Sequence, residues 1–423
     1  MTRRLVRLIL VTLIPLISIS ALLVVTTGGL LVRSAAADSP PALPAVLAPS
    51  ACELDGMQLG GAIYRICMPP SGTWNGDLVL YAHGYVPYTR PVAIPEEQLM
   101  LPNGTSLPAL INSFGFAFAA TSYRTNGLAV ETGIEDLVEL VTIFTTTHGV
   151  PGHIYLTGVS EGGLITTLAI ELRPDIFDGG LAACGPIGDF HGQINYFGDF
   201  RVVFDYFFPG LLPGSPISIP QSLIDNWSTY YTTTIRPAVL NPANASQLEQ
   251  LLRVSNAPYV LGVTSTIELS IFDALSYNVY ATNDAIAKLG GQPFDNQDRV
   301  YAGSSDDARL NLMVQRFSAD QPALNDVEMF YQTTGQLSVP LVTLHTTLDQ
   351  QVPYWHELAY RVKVILSDSV ALHKHVEVPR YGHCNFEAPE ALGAFFQLVN
   401  MVLNPPVTGP SPRHFLPVVV AAP

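Results

Sequence analysis

Short apolar or β-branched blocks, several alternating with polar residues, occupy positions 57–68, 77–82, 116–122, 153–157, 177–184, 339–345 and 372–378, and each predicts a strand. Pro69-Pro70-Ser71-Gly72 supplies the turn between the first two. Between the blocks, apolar positions recur at helical intervals over 131–147, 164–172 and 388–403. Residues 96–114 read as helical pieces interrupted at Pro102-Asn103-Gly104. Strands that alternate with helices predict an α/β domain whose sheet is mostly parallel and covered on both faces.

The alternation stops over 186–338, where the helix-like patterns are 220–234, 246–254 and 310–317. A strand pattern resumes at 339, and connections within a sheet are otherwise short, so this segment is expected to be a mainly helical insertion. The core then consists of 51–185 and 339–403. Residues 38–50 are rich in Pro and Ala and predict a flexible entry, while Pro405, Pro406, Pro410 and Pro412 mark a linker-like tail over 404–423.

The first 37 residues change the expected location. Arg3, Arg4 and Arg7 precede an apolar run over 8–32 and then Ala35-Ala36-Ala37, the order of a secretory signal, with cleavage expected before Asp38. An uncleaved membrane anchor is the competing reading, weakened by Pro15 and Gly28-Gly29. Loss of 1–37 removes four Arg, leaving 16 basic against 35 acidic residues, a formal charge of −19. Such a surface repels phosphate backbones, so no nucleic-acid partner is expected. All four cysteines lie beyond the signal, and an even number in an oxidising compartment predicts two disulfides. The expected pairs are Cys52 with Cys67 and Cys184 with Cys384, with free buried thiols as the alternative. Their loops imply about 3 and about 5 kcal/mol in the chain-entropy model.

Ser160 lies in Gly158-Val159-Ser160-Glu161-Gly162, a pattern that composition alone supplies in about one such chain in six. Its context is more selective, because a strand precedes it and a helix follows, the setting of a sharp turn that exposes the hydroxyl. A serine is a weak nucleophile at neutral pH and needs a histidine to take its proton and a carboxylate to orient that histidine. Asp349 follows the strand ending at His345, and His383 follows the one ending at Val378. Asp306, Asp307 and Asp326 are rival carboxylates, and Asp349 has a helix-capping alternative. His373 and His375 share a strand face but lack a third ligand at suitable spacing, so no metal site is expected. His83 is expected to position its loop.

The elbow, the order Ser-Asp-His, the strand end His83-Gly84-Tyr85, the Asp-x-x-Val-Pro loop and the Gly-His loop together resemble the α/β-hydrolase superfamily over most of the mature chain. The resemblance implies an eight-stranded, mostly parallel sheet flanked by helices, with a cap inserted after the sixth strand. It implies Ser160 as nucleophile, His383 as general base and then acid, and Asp349 as the orienting carboxylate. Backbone N–H groups of Glu161 and Tyr85 would hold the oxyanion. The export signal and cap resemble those of secreted bacterial esterases and lipases, whereas Ser122-Tyr123-Arg124 resembles prolyl-oligopeptidase-like peptidases. The expectation is a secreted serine hydrolase acting on small or polymeric carboxylic esters without a cofactor. A serine peptidase, or a non-catalytic binding protein on the same fold, is the alternative. The aromatics Tyr196, Phe197, Phe200 and Tyr206 open the insertion and are expected to line an acyl or aromatic pocket, with packing of the insertion onto the core as the competing role.

Overall fold

Residues buried on two faces alternate along strand β4 (Leu78–Ala82), after the short β1 (Ala51–Cys52), β2 (Gly56–Met57) and β3 (Ile63–Met68). Leu78, Leu80 and Ala82 join one apolar cluster while Val79 and Tyr81 join another, the period-two consequence of a pleated strand covered on both sides. The computed structural model describes residues 51–101 and 104–405, so the expected signal, the 38–50 entry and nearly all of the tail lie outside the described residues.

One helix layer is α2 (Val130–His148) and α3 (Glu161–Leu172), which pack Leu137, Leu140, Phe144, Leu164 and Ile165 against the first face. The opposite layer contains α1 (Leu107–Ser113) and the last helix (Ala388–Leu403), with Ile111, Phe395 and Leu398 buried. The remaining strands are β5 (Ala117–Thr121), β6 (Ile154–Val159), β7 (Gly179–Ala183), β8 (Leu341–Leu348) and β9 (His373–Tyr381). All nine join one sheet in the order β1-β3-β5-β4-β6-β7-β8-β9, with β2 beside β3. The pairs made by β1, β2 and β3 are antiparallel and the rest are parallel. Without the two-residue β2, the order is that of eight strands in a mostly parallel sheet. The predicted first strand, 57–68, is broken because the chain turns at Gly60-Gly61, where Gly61 has a φ of 90°.

Between β7 and β8 the chain forms α4 (Phe190–Phe207), α5 (Gln221–Tyr230), α6 (Arg236–Val239), α7 (Ala245–Ser255), α8 (Thr264–Lys288), α9 (Asp307–Met313) and α10 (Gln321–Phe330). Helix α11 (Trp355–Leu366) follows β8, and the last helix is α12. The helices between β7 and β8 have an apolar core of their own that includes Phe200, Phe204, Trp227 and Leu275. Burying side chains of this size stabilises by about 1.5–3 kcal/mol each. The longest of these helices, α8, escapes the sequence pattern because its buried face carries Ser270, Asp273, Asn278 and Asp284. Polar residues on the inner face break the apolar period that identifies a helix.

Candidate active site

Strand β6 ends at Val159, and the next residue, Ser160, has φ 56° and ψ −123°, a conformation unusual for any residue with a side chain. The turn closes so tightly that a Cβ at Gly158 would lie 2.1 Å from the carbonyl oxygen of Gly162, and one at Gly162 would lie 2.0 Å from that of Ala82. Glycine at these two positions therefore permits the turn. The Ser160 N–H donates to the Ala183 carbonyl at 2.9 Å, fixing the serine to the end of β7.

Three parallel strands deliver the other groups at their carboxyl ends, where open α/β sheets form their clefts. Asp349 follows β8 and is fully buried, with one oxygen, Oδ1, accepting the N–H groups of Gln351 and Val352 at 2.9 Å each. Its other oxygen meets His383 Nδ1 at 2.8 Å, and His383 Nε2 lies 2.9 Å from Ser160 Oγ. With Nδ1–H given to the carboxylate, Nε2 is left to accept the serine proton. Burial alone would raise the Asp349 carboxyl, but the attraction of His383 and hydrogen bonds from His345 and His383 hold it well below the usual carboxylate range. Cys384, the residue after His383, is bonded to Cys184 just past β7, so the strand end that fixes Ser160 also fixes the histidine loop. Cys52 and Cys67 form the second disulfide, both pairs being those expected.

Behind Asp349 stands a second histidine. His345 is fully buried, with Nε2 2.9 Å from the Val352 carbonyl and 3.4 Å from Asp349 Oδ2, and Nδ1 3.1 Å from Glu357 Oε1. Burial would lower its pKa, but the hydrogen bonds to Asp349 and Glu357 more than offset this and push it up to about 10. Glu357 also meets Thr343 Oγ1 at 2.8 Å and His375 Nδ1 at 3.0 Å. His373 and His375 are thereby strand residues engaged with Thr343.

After β4, the Gly84 N–H is taken by Gln98 Oε1 at 2.6 Å, whereas the Tyr85 N–H has no acceptor among the described residues. Glu161 is the first residue of α3, so its N–H stands outside the helical ladder at the positive end of the helix dipole. The strand end is held from behind: His83 Nδ1 donates to the Gly84 carbonyl at 2.7 Å, and its ring stacks on Tyr123 at 4.0 Å. The side chain of Glu161 is buried, and burial pushes its carboxyl up to about 8 although it accepts the Ala129 N–H at 3.0 Å.

Helix α8 spans the site and touches each of these loops. Ser270 Oγ is 2.9 Å from the Tyr381 hydroxyl, two residues before His383. Asp273 accepts the side-chain amides of Gln350 and Gln351 at 2.7 and 3.0 Å, gripping the Asp349 loop. Tyr277 donates to Gln351 Oε1 at 3.0 Å, and its hydroxyl is also within hydrogen-bonding reach of Ser160 at the wall of an apolar cavity. Asp284 accepts the Leu128 N–H at 2.7 Å, next to the Ala129 that holds Glu161. These residues were not singled out in the sequence, since nothing in their spacing distinguishes them from an ordinary helix.

The aromatic residues expected in a pocket divide. Phe197 lines the cavity at Ser160 and stacks on Tyr277 with ring centroids 4.6 Å apart. Tyr196 instead donates its hydroxyl to the Gln350 carbonyl at 2.9 Å, bracing the Asp349 loop. Phe200 is fully buried in the core of the helical segment, and Tyr206 packs edge-on against Phe207 at the margin of that core. On a helix, Phe197 and Phe200 differ by three positions, but Phe200 is turned far enough to face the neighbouring helices.

Ser160 on a strained strand-to-helix turn, in a sheet of this strand order, decides the architecture. This is an α/β-hydrolase fold. No protein-family model matches the sequence, and no curated protein matches it. Among solved structures it is similar to the acylaminoacyl peptidase of Pyrococcus horikoshii, at 11% identity and a TM-score of 0.43, over 84% of this chain and 41% of that one. An esterase from Aspergillus oryzae is similar at 13% identity and a TM-score of 0.43, over 81% and 77%. Est1E from Butyrivibrio proteoclasticus is similar at 14% and 0.38, over 82% and 98%. The chain spans about two fifths of the length of the acylaminoacyl peptidases it resembles. These likenesses are distant, and the fold rests on the strand order and the elbow.

Proposed function

We propose that the protein is an exported serine hydrolase that cleaves carboxylic esters through an acyl-enzyme. The observation that carries this reading is the hydrogen-bonded chain from Ser160 Oγ through His383 to Asp349, at 2.9 and 2.8 Å, on an elbow that exposes the hydroxyl. Ser160 attacks the ester carbonyl while its proton passes to His383 Nε2. The oxyanion forms beside the N–H groups of Tyr85 and Glu161, each such donor being worth about 3 kcal/mol to the transition state. His383 then protonates the departing alcohol, and a water activated by the same nitrogen releases the acid. Asp349, locked by two loop N–H groups, holds the imidazole in the tautomer this sequence requires.

Esters rather than peptides are favoured by the cavity at Ser160. Its walls are almost wholly apolar, with Leu128, Ile194, Phe197 and Val352 among them. A peptide would bury backbone amides there without partners, at a cost of about 1–3 kcal/mol for each. Export is supported by the two disulfides, and no helix among the described residues is long and apolar enough to cross a membrane. The test is a panel of nitrophenyl esters against aminoacyl nitroanilides. Turnover of esters with none of the anilides is expected; turnover confined to the anilides would replace this reading with a peptidase.

A further inference from the structure

The cavity against Ser160 has a volume of about 100 Å³. Ser160, Glu161 and Tyr85 are among its walls, and His383 is not. That asymmetry assigns its occupant. The leaving alcohol must stand within reach of the imidazole that protonates it, so a chamber walled by the nucleophile and both oxyanion loops, which the imidazole does not line, receives the other half of the ester. Burial favours the protonated form of Glu161, which lowers the carboxylate charge at that wall.

A second chamber of about 70 Å³ lies beyond it, walled by Pro216, Asn278 and Phe294 among others. The two share Ile194, Phe197, Tyr277, Ala281 and Ala285, and these side chains form the partition between them. At its centre the rings of Phe197 and Tyr277 lie 4.6 Å apart and within 7° of parallel. Tyr277 is further held by its hydrogen bond to Gln351, whose own amide is bound to Asp273. An apolar cavity of about 150 Å³ holds a benzene ring, and the first chamber alone has about two thirds of that volume.

We propose that this chamber is the acyl site, that it admits short aliphatic acyl groups, and that the Phe197–Tyr277 stack sets the upper limit of their length. The proposal rests on Ser160 being the nucleophile of an ester hydrolase. Removing the Phe197 ring would join the two chambers into a space larger than a benzene-sized cavity. Filling the first chamber from a wall that belongs to it alone, such as Leu128, would shorten the permitted chain.

The experiment compares nitrophenyl acetate, butyrate, octanoate and benzoate with wild type, Phe197→Ala and Leu128→Phe, each enzyme also being labelled with a fluorophosphonate and the Ser160 peptide analysed. Wild type is expected to favour butyrate over octanoate and benzoate by about tenfold or more in kcat/KM. Phe197→Ala should raise the octanoate-to-butyrate ratio by about tenfold, and Leu128→Phe should lower the butyrate-to-acetate ratio by a similar factor. A flat wild-type profile overturns the proposal. So do ratios unchanged in both variants while Ser160 labels normally, a result that leaves the ester hydrolase reading standing. Failure of wild-type Ser160 to label overturns both.

Discussion

The carboxyl edge of the sheet and the helices between β7 and β8 meet at the same serine, yet they are built on different principles. At the sheet edge, position follows from backbone: a positive φ at Ser160, two glycines that permit close approach, and loop N–H groups that lock Asp349. Groups separated by 223 positions in sequence are placed 2.9 Å apart because β6 and β9, with β7 and β8 between them, end at the same edge of the parallel sheet and their loops converge there. In the helical segment, position follows from side-chain packing and buried polar grips. Helix α8 reaches the loops of Asp349 and His383 through Asp273 and Ser270, and through Asp284 it holds Leu128, next to the Ala129 that binds Glu161. Under the proposed function, the edge would determine which reaction occurs, while the helices would determine what fits beside the serine.

If that division is right, a change at the edge slows every ester alike, and a change in the helices alters the ratio between esters. Gln98→Ala is the strongest test of the first half. Gln98 occupies the Gly84 N–H and so holds the loop that presents the Tyr85 N–H. Its loss should lower kcat by about tenfold to a hundredfold for acetate and octanoate equally, with a smaller change in KM. Gln98→Glu keeps an acceptor for Gly84 and should recover part of the loss. A shift in chain-length preference without a fall in kcat would break the comparison. The Phe197 and Leu128 variants test the second half, with effects of about tenfold confined to ratios.

The smallest effect concerns stability and separates the edge into its reacting and supporting parts. His345 has its pKa raised from 6.5 to about 10, so its contribution is complete below pH 6.5 and is lost as pH rises through 10. Glu161, raised from 4.5 to about 8, also makes stability fall with rising pH, but only between those two values. Between pH 8 and 10 the remaining slope of up to about 1.4 kcal/mol per pH unit therefore belongs to His345 among these two groups. Denaturant unfolding of wild type and His345→Gln over that range should show a shallower slope in the variant. Equal slopes would remove the imidazolium from the support of Asp349.

Much of the edge was legible in the sequence because its chemistry depends on local signals. Gly158 and Gly162 flank the serine, a strand pattern precedes each of Ser160, Asp349 and His383, and Cys384 follows the histidine. The strand order could be anticipated only through resemblance, and the two-residue β1 and β2 are too short to carry a period. The helical segment was legible as helical, but its contribution was not. Tyr277, Asp273 and Gln98 owe their importance to partners distant in sequence, and α8 hides its buried face behind polar residues. Among four neighbouring aromatics, only the direction of each side chain from α4 separates Phe197, which lines the cavity, from Tyr196, Phe200 and Tyr206. Aromatic density signals burial without saying against what.

The claim on which the rest depends is that Ser160 is the nucleophile. Rapid quenching of the enzyme during turnover of nitrophenyl butyrate, followed by mass analysis of the peptide containing residues 158–162, measures this directly. One butyryl group is expected on Ser160, formed with a stoichiometric burst of nitrophenol and absent in Ser160→Ala. Turnover by Ser160→Ala at the wild-type rate, or a butyryl group on another residue, would contradict it.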